Sequence, residues 1–71
     1  MRNKKYRIKP EYDANGLMAT KGGIIIRGLY IYHVQMSGII GWVTIKSFIE
    51  EDVAYACKRA HELLDLLNEN L

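Results

Sequence analysis

The C-terminal third of the chain carries a pattern that fits a helix and little else. Apolar residues fall at Ile49, Val53, Ala56, Cys57, Ala60, Leu63, Leu64, Leu67 and Leu71, the three- and four-residue spacing of one helical face. Just ahead, Ser47-Phe48-Ile49-Glu50 fits a capping box. In it the Ser47 hydroxyl accepts the Glu50 backbone N–H, and Glu50 reaches back to the Ser47 N–H. Glu50, Glu51 and Asp52 then fall in the first turns, where the helix dipole favours negative charge. The spacing predicts a helix over 48–68. A chain of 71 residues holds one small domain, so the segment before the helix must supply the surface that buries this stripe.

That segment reads as β structure. Met36-Ser37-Gly38-Ile39 centres a Ser-Gly pair between two alternating runs, the signal of a two-residue hairpin turn. The register then sets 36 opposite 39, 34 opposite 41, 32 opposite 43 and 30 opposite 45. One face holds Tyr30, Tyr32, Val34, Gly41, Val43 and Ile45, all apolar or glycine, and is expected to receive the helix. The other holds Leu29, Ile31, His33, Gln35, Ile40, Trp42, Thr44 and Lys46 and is expected to look outward. A slip of one residue would mix the two sets.

Earlier segments are less patterned. Ile24 to Arg27 either begins a long strand ending at Gln35, with Gly28 as a bulge, or forms a separate edge strand. Tyr6 to Lys9 alternates as a further edge strand, with Pro10 closing it. Residues 11–23, with Asn15-Gly16 and Gly22-Gly23, read as turns and loop. The expected fold is α+β: a small antiparallel sheet of three strands, or four, with one C-terminal helix on one face. It forms a single domain over 1–71, with a basic arm at 1–5 and a β-rich half over 6–48.

The chemistry-bearing residues are few. Cys57 is the only cysteine, which excludes an intrachain disulfide framework and argues against a thiolate zinc site. It lies on the apolar stripe, the setting of a small buried hydrophobe. His61-Glu62-Leu63-Leu64-Asp65 lacks the second histidine of a helical zinc-protease motif. Lys21-Gly22-Gly23 does not follow a strand and open a helix as phosphate loops do. The expectation is a non-enzymatic chain with no metal, no cofactor and no small-molecule substrate. No stretch approaches the roughly 18 apolar residues of a membrane span. The basic start lacks the apolar core of a secretory signal, so the cytoplasm is the expected compartment.

Charge is distributed unevenly. Residues 1–48 sum to +6 and residues 49–71 to −4, a polarity that points to an anionic partner for the first part. Arg2, Lys4, Lys5, Arg7 and Lys9 would form an arm for phosphates. Arg27 and Lys46 lie on or near the open face, and Trp42 is available for a groove or for base stacking. The expected function is DNA binding through arm and sheet face. The alternative is a protein-interaction module or an inhibitor of a host protein, acting as a homodimer or on a host partner. Its interface would be an apolar patch of Leu29, Ile31, His33, Ile40, Trp42 and Thr44. The plain alternative to the arm is that its lysines merely solubilise a tail, and the alternative to the apolar interface is that residues 6–18 fold across that face and cover it.

From Tyr30 to Leu64 the element order of hairpin, capped start at Ser47 and apolar helix resembles the arm-type DNA-binding domains of tyrosine recombinases. The resemblance implies a sheet that faces DNA with the helix packed behind. It is a likeness of architecture, and architecture alone does not assign function. The small size fits the general habit of phage or mobile-element accessory regulators.

Overall fold

The computed structural model describes residues 5–69. Its elements are β1 (Tyr6–Ala19), β2 (Ile25–Ser37), β3 (Trp42–Phe48) and α1 (Val53–Glu69). The strands form one antiparallel sheet in the order β1-β2-β3, and α1 packs on it against all three strands. This is the α+β architecture expected from the sequence, with three strands.

The core is small. Val34, Phe48, Ala56 and Ala60 are buried, and Ile8, Tyr32, Leu63 and Leu67 pack around them. The helical stripe thus meets the sheet through its two alanines, whose size lets the helix backbone approach Val34 closely. On β2 the even-numbered residues Tyr32 and Val34 face the helix, as their alternation predicts.

Several expectations change in detail. The hairpin between β2 and β3 is not a two-residue turn. Residues 38–41 form the loop, Gly38 N–H donates to the Gly41 carbonyl at 2.6 Å, and Ser37 pairs with Trp42 and Met36 with Val43. Gly38 is required there, because a Cβ would lie 2.8 Å from the Gly41 carbonyl oxygen. The loop leaves Ile39 and Ile40 fully exposed, so Ile40 is at a loop tip and not on the sheet face. A bulge follows: Gln35 pairs with Thr44 but Val34 with Lys46, leaving Ile45 unpaired. One extra residue reverses the facing of all that follows. Lys46 therefore falls on the helix side, with its ammonium 5.9 Å from the Phe48 ring centroid, and Phe48 reaches the core opposite Tyr32.

This longer β3 displaces the helix start. Ser47 is a strand residue, and α1 begins at Val53. Asp52 is the cap: its Oδ1 accepts the Ala54 N–H at 3.0 Å and its carbonyl accepts the Ala56 N–H at 3.1 Å, the geometry of an N-cap aspartate. Burial of Phe48 in the sheet thus outweighs the local capping signal at Ser47. Glu50 pairs with Arg59 at 2.9 Å and not with Ser47.

At the other end β1 and β2 form one long hairpin. Pro10 does not end β1, since it sits on an edge strand opposite Tyr32, where a missing N–H is tolerated. Asp13 to Gly16 is not a turn. It is an irregularity inside β1, with the register shifting between Asp13 and Leu17 and the Asn15 N–H on Asp13 Oδ1 at 3.1 Å. Gly28 lies opposite with φ of 85°, and β2 continues through it, the bulged long strand of the two options. The hairpin closes at Thr20 to Ile24, where Thr20 and Ile24 exchange backbone and hydroxyl bonds, so Lys21-Gly22-Gly23 is a loop as expected. Residues 6–18 do not cross the open face. They pair edgewise with β2, which satisfies the N–H and C=O groups that the two strands turn toward each other.

Candidate nucleic-acid interface

The face turned away from the helix is built by alternation. On β1 it receives Arg7, Lys9, Glu11 and Asp13, which pair with Gln35, His33, Ile31 and Leu29 of β2. On β3 it receives Trp42, Thr44 and Ser47, the last restored to this side by the bulge. Among the described residues no element packs over it.

Two polar rungs cross all three strands. In the first, Arg7 Nε donates to Gln35 Oε1 at 2.8 Å, and Gln35 Nε2 donates to Thr44 Oγ1 at 3.1 Å. Gln35 is buried, so both ends of its amide are held. In the second, His33 Nε2 lies 2.6 Å from Glu11 Oε1, and Nδ1 lies 2.6 Å from Ser47 Oγ. A carboxylate only accepts, so Nε2 carries the proton that faces Glu11. In the neutral ring Nδ1 is then left to accept the Ser47 hydroxyl. The Arg7 guanidinium also lies over Trp42, 4.1 Å from the ring centroid, a cation–π contact that fixes both side chains.

Of the basic residues singled out, Arg2 and Lys4 lie outside the described residues. Lys5 takes the alternate position before Arg7 and Lys9, with its N–H on Ser37 Oγ at 3.1 Å and its carbonyl accepting the Ser37 N–H at 2.8 Å. Lys5, Arg7 and Lys9 thus follow one edge of the face at about 6.8 Å intervals, two strand residues each. Arg27 is separate, beyond the Gly28 irregularity and opposite Leu17, and Lys46 is on the helix side.

The apolar patch does not form as expected. Leu29, Ile31, His33, Trp42 and Thr44 share the face, but Ile40 leaves it, and His33 and Thr44 are tied into the rungs. Trp42 remains 40% exposed. Glu11 and Ser47 were missed as partners of His33. The alternation Arg7, Lys9, Glu11 runs unbroken through Pro10 and is the sequence signal that places Glu11 on this face.

Elsewhere, Cys57 is a free thiol, partly buried on α1. The described residues bring together no group of three or more His, Cys, Asp or Glu placed to hold a metal. No helix among them is long and apolar enough to cross a membrane. No protein-family model matches the chain, and no curated protein or solved structure matches it.

Proposed function

We propose that the chain is a non-enzymatic DNA-binding module that presents its open sheet face to the duplex. The observation that carries this reading is the row Lys5, Arg7 and Lys9 along one edge of a polar face. Across the sheet, on β3, stands a Trp42 ring held by Arg7. A linear row of cations suits a linear polyanion, and displacement of its counterions drives binding. The outer strands stand about 10 Å apart, which suits a major groove about 12 Å wide that is known to admit β elements. Thr44, whose hydroxyl accepts from Gln35 and keeps its own proton to donate, supplies a hydrogen-bonding group behind the row.

The test is fluorescence anisotropy with a short DNA duplex across a salt series. Lys5→Glu with Lys9→Glu should weaken binding strongly and lower the salt slope by about one for each phosphate contact removed. Lys46→Glu, on the helix side, should do much less. Equal effects from both faces, or no binding by the parent chain, would overturn the reading. The alternative, a protein-interaction role, is favoured by the fully exposed Ile39-Ile40 tip. Binding that tracks those isoleucines and ignores salt would support it instead.

A further inference from the structure

The Glu11–His33–Ser47 rung holds two hydrogen bonds whose direction depends on protonation, on the face proposed to meet DNA. Histidine is the side chain that ordinarily changes charge between about pH 5 and 8. In the neutral ring, Nε2–H donates to Glu11 Oε1 and Nδ1 accepts the Ser47 hydroxyl, each at 2.6 Å. The one hydroxyl proton of Ser47 is then held by the ring. Once Nδ1 takes a proton it becomes a donor, and Ser47 Oγ accepts from it instead. The hydroxyl proton is thereby free to turn outward. Both ring nitrogens keep their partners in either state, so the change needs no movement of the strands.

Few charged groups face the ring. On β1, Lys9 sits directly opposite His33, with Arg7 and Glu11 to either side of it on the same face. The neighbours on β2, Ile31 and Gln35, and on β3, Thr44 and Ser47, carry no charge. α1 packs on the other side of the sheet, against Val34. The His33 side chain keeps 20% of its surface and that of Glu11 keeps 54%, so the pair is open to solvent protons and to a ligand. With His33 neutral, Lys5, Arg7 and Lys9 against Glu11 and Asp13 leave this edge of the face at a formal +1, and protonation makes it +2.

We infer that His33 is a pH switch for phosphate binding by the open face: its protonation cancels the charge of Glu11 and releases the Ser47 hydroxyl to donate to a phosphate oxygen. The inference rests on the DNA-binding reading and adds a regulation to it. The protonated form presents one more positive charge and one more donor to a polyanion, so affinity rises as pH falls. Linkage requires the reverse as well, and bound duplex favours the protonated ring.

Fluorescence anisotropy of the full chain with a short DNA duplex, at low salt and at about pH 7.5 and about pH 5.5, tests this. The parent chain should bind about tenfold more tightly at the lower pH. His33→Gln, which offers amide groups in place of the ring nitrogens but takes no proton, should bind nearly equally at both. His61→Gln, which changes the other histidine, on α1, should keep the parent's response. Glu11→Gln removes the same negative charge by another route and should tighten binding at the higher pH by a similar factor. It also covers the case in which His33→Gln fails to fold. The ring NMR signals of His33 should shift over the same pH range as the affinity. DNA binding that is equal at both pH values, or a pH response that survives His33→Gln, would overturn the inference and leave the DNA-binding reading standing. So would a Glu11→Gln chain that binds no better than the parent at the higher pH. No binding at either pH would overturn the DNA-binding reading, and the inference with it.

Discussion

Arg7 of β1 reaches past the central strand to lie over the ring of Trp42 on β3, 4.1 Å from its centroid. The two strands do not touch in the sheet order β1-β2-β3. Gln35, between them, holds Arg7 at 2.8 Å and sets the height at which the guanidinium crosses. The open face is therefore organised from its middle strand.

Gln35→Leu should be destabilising even though leucine suits a sheet. It removes two hydrogen bonds, one of them to a charged group, at a cost of about 2 kcal/mol. Urea denaturation measures this. The same variant should also free Arg7 from its fixed position, and the fluorescence of Trp42, the only tryptophan, should shift with it. A midpoint equal to the parent's would show that the rung contributes nothing to stability.

The two capping candidates separate cleanly. Asp52→Ala should cost about 1 kcal/mol through loss of the Ala54 N–H partner. Its effect should appear as reduced helical circular dichroism near the melting transition. Ser47→Ala should leave the helix signal intact and alter only His33, whose Nδ1 it contacts. The reverse pattern would restore the capping box at Ser47.

Ala60→Leu tests the close approach of α1 to the sheet. Ala60 is fully buried against the Val34 and Phe48 cluster, and three added carbons must displace the helix. Overpacking of this kind costs typically 1–3 kcal/mol. In a core of this size that loss is a large share of the total, so thermal unfolding should move to a clearly lower temperature. An unchanged melting temperature would mean that the helix stands farther from the sheet.

Gly28→Ala should destabilise the arm locally. Its φ of 85° lies in the left-handed region, and a Cβ there would meet the Tyr12 hydroxyl. A loss of about 1 kcal/mol is expected from the backbone alone. Amide hydrogen exchange should show faster opening for 12–30 than for the core strands.

Much of this protein follows from periodicity in the chain. The helical stripe from Val53 to Leu67, the alternation of Tyr30, Tyr32 and Val34, and the resulting sheet-plus-helix layers are local patterns with local causes. So are the loop at Gly22-Gly23 and the placement of His33, Gln35, Trp42 and Thr44 together on one face. Three features were decided only in three dimensions. Phe48 was drawn into the core, and its burial stretched β3 through a bulge, moved Lys46 to the helix side and passed the cap from Ser47 to Asp52. β1 ran on through Pro10 because an edge strand needs no N–H there, so Glu11 met His33. The residues of each rung come from strands far apart in sequence, and no spacing rule links Arg7 to Thr44 or Glu11 to Ser47. Periodicity reports which face a residue takes, whereas register, and with it every cross-strand partner, depends on what the whole sheet buries.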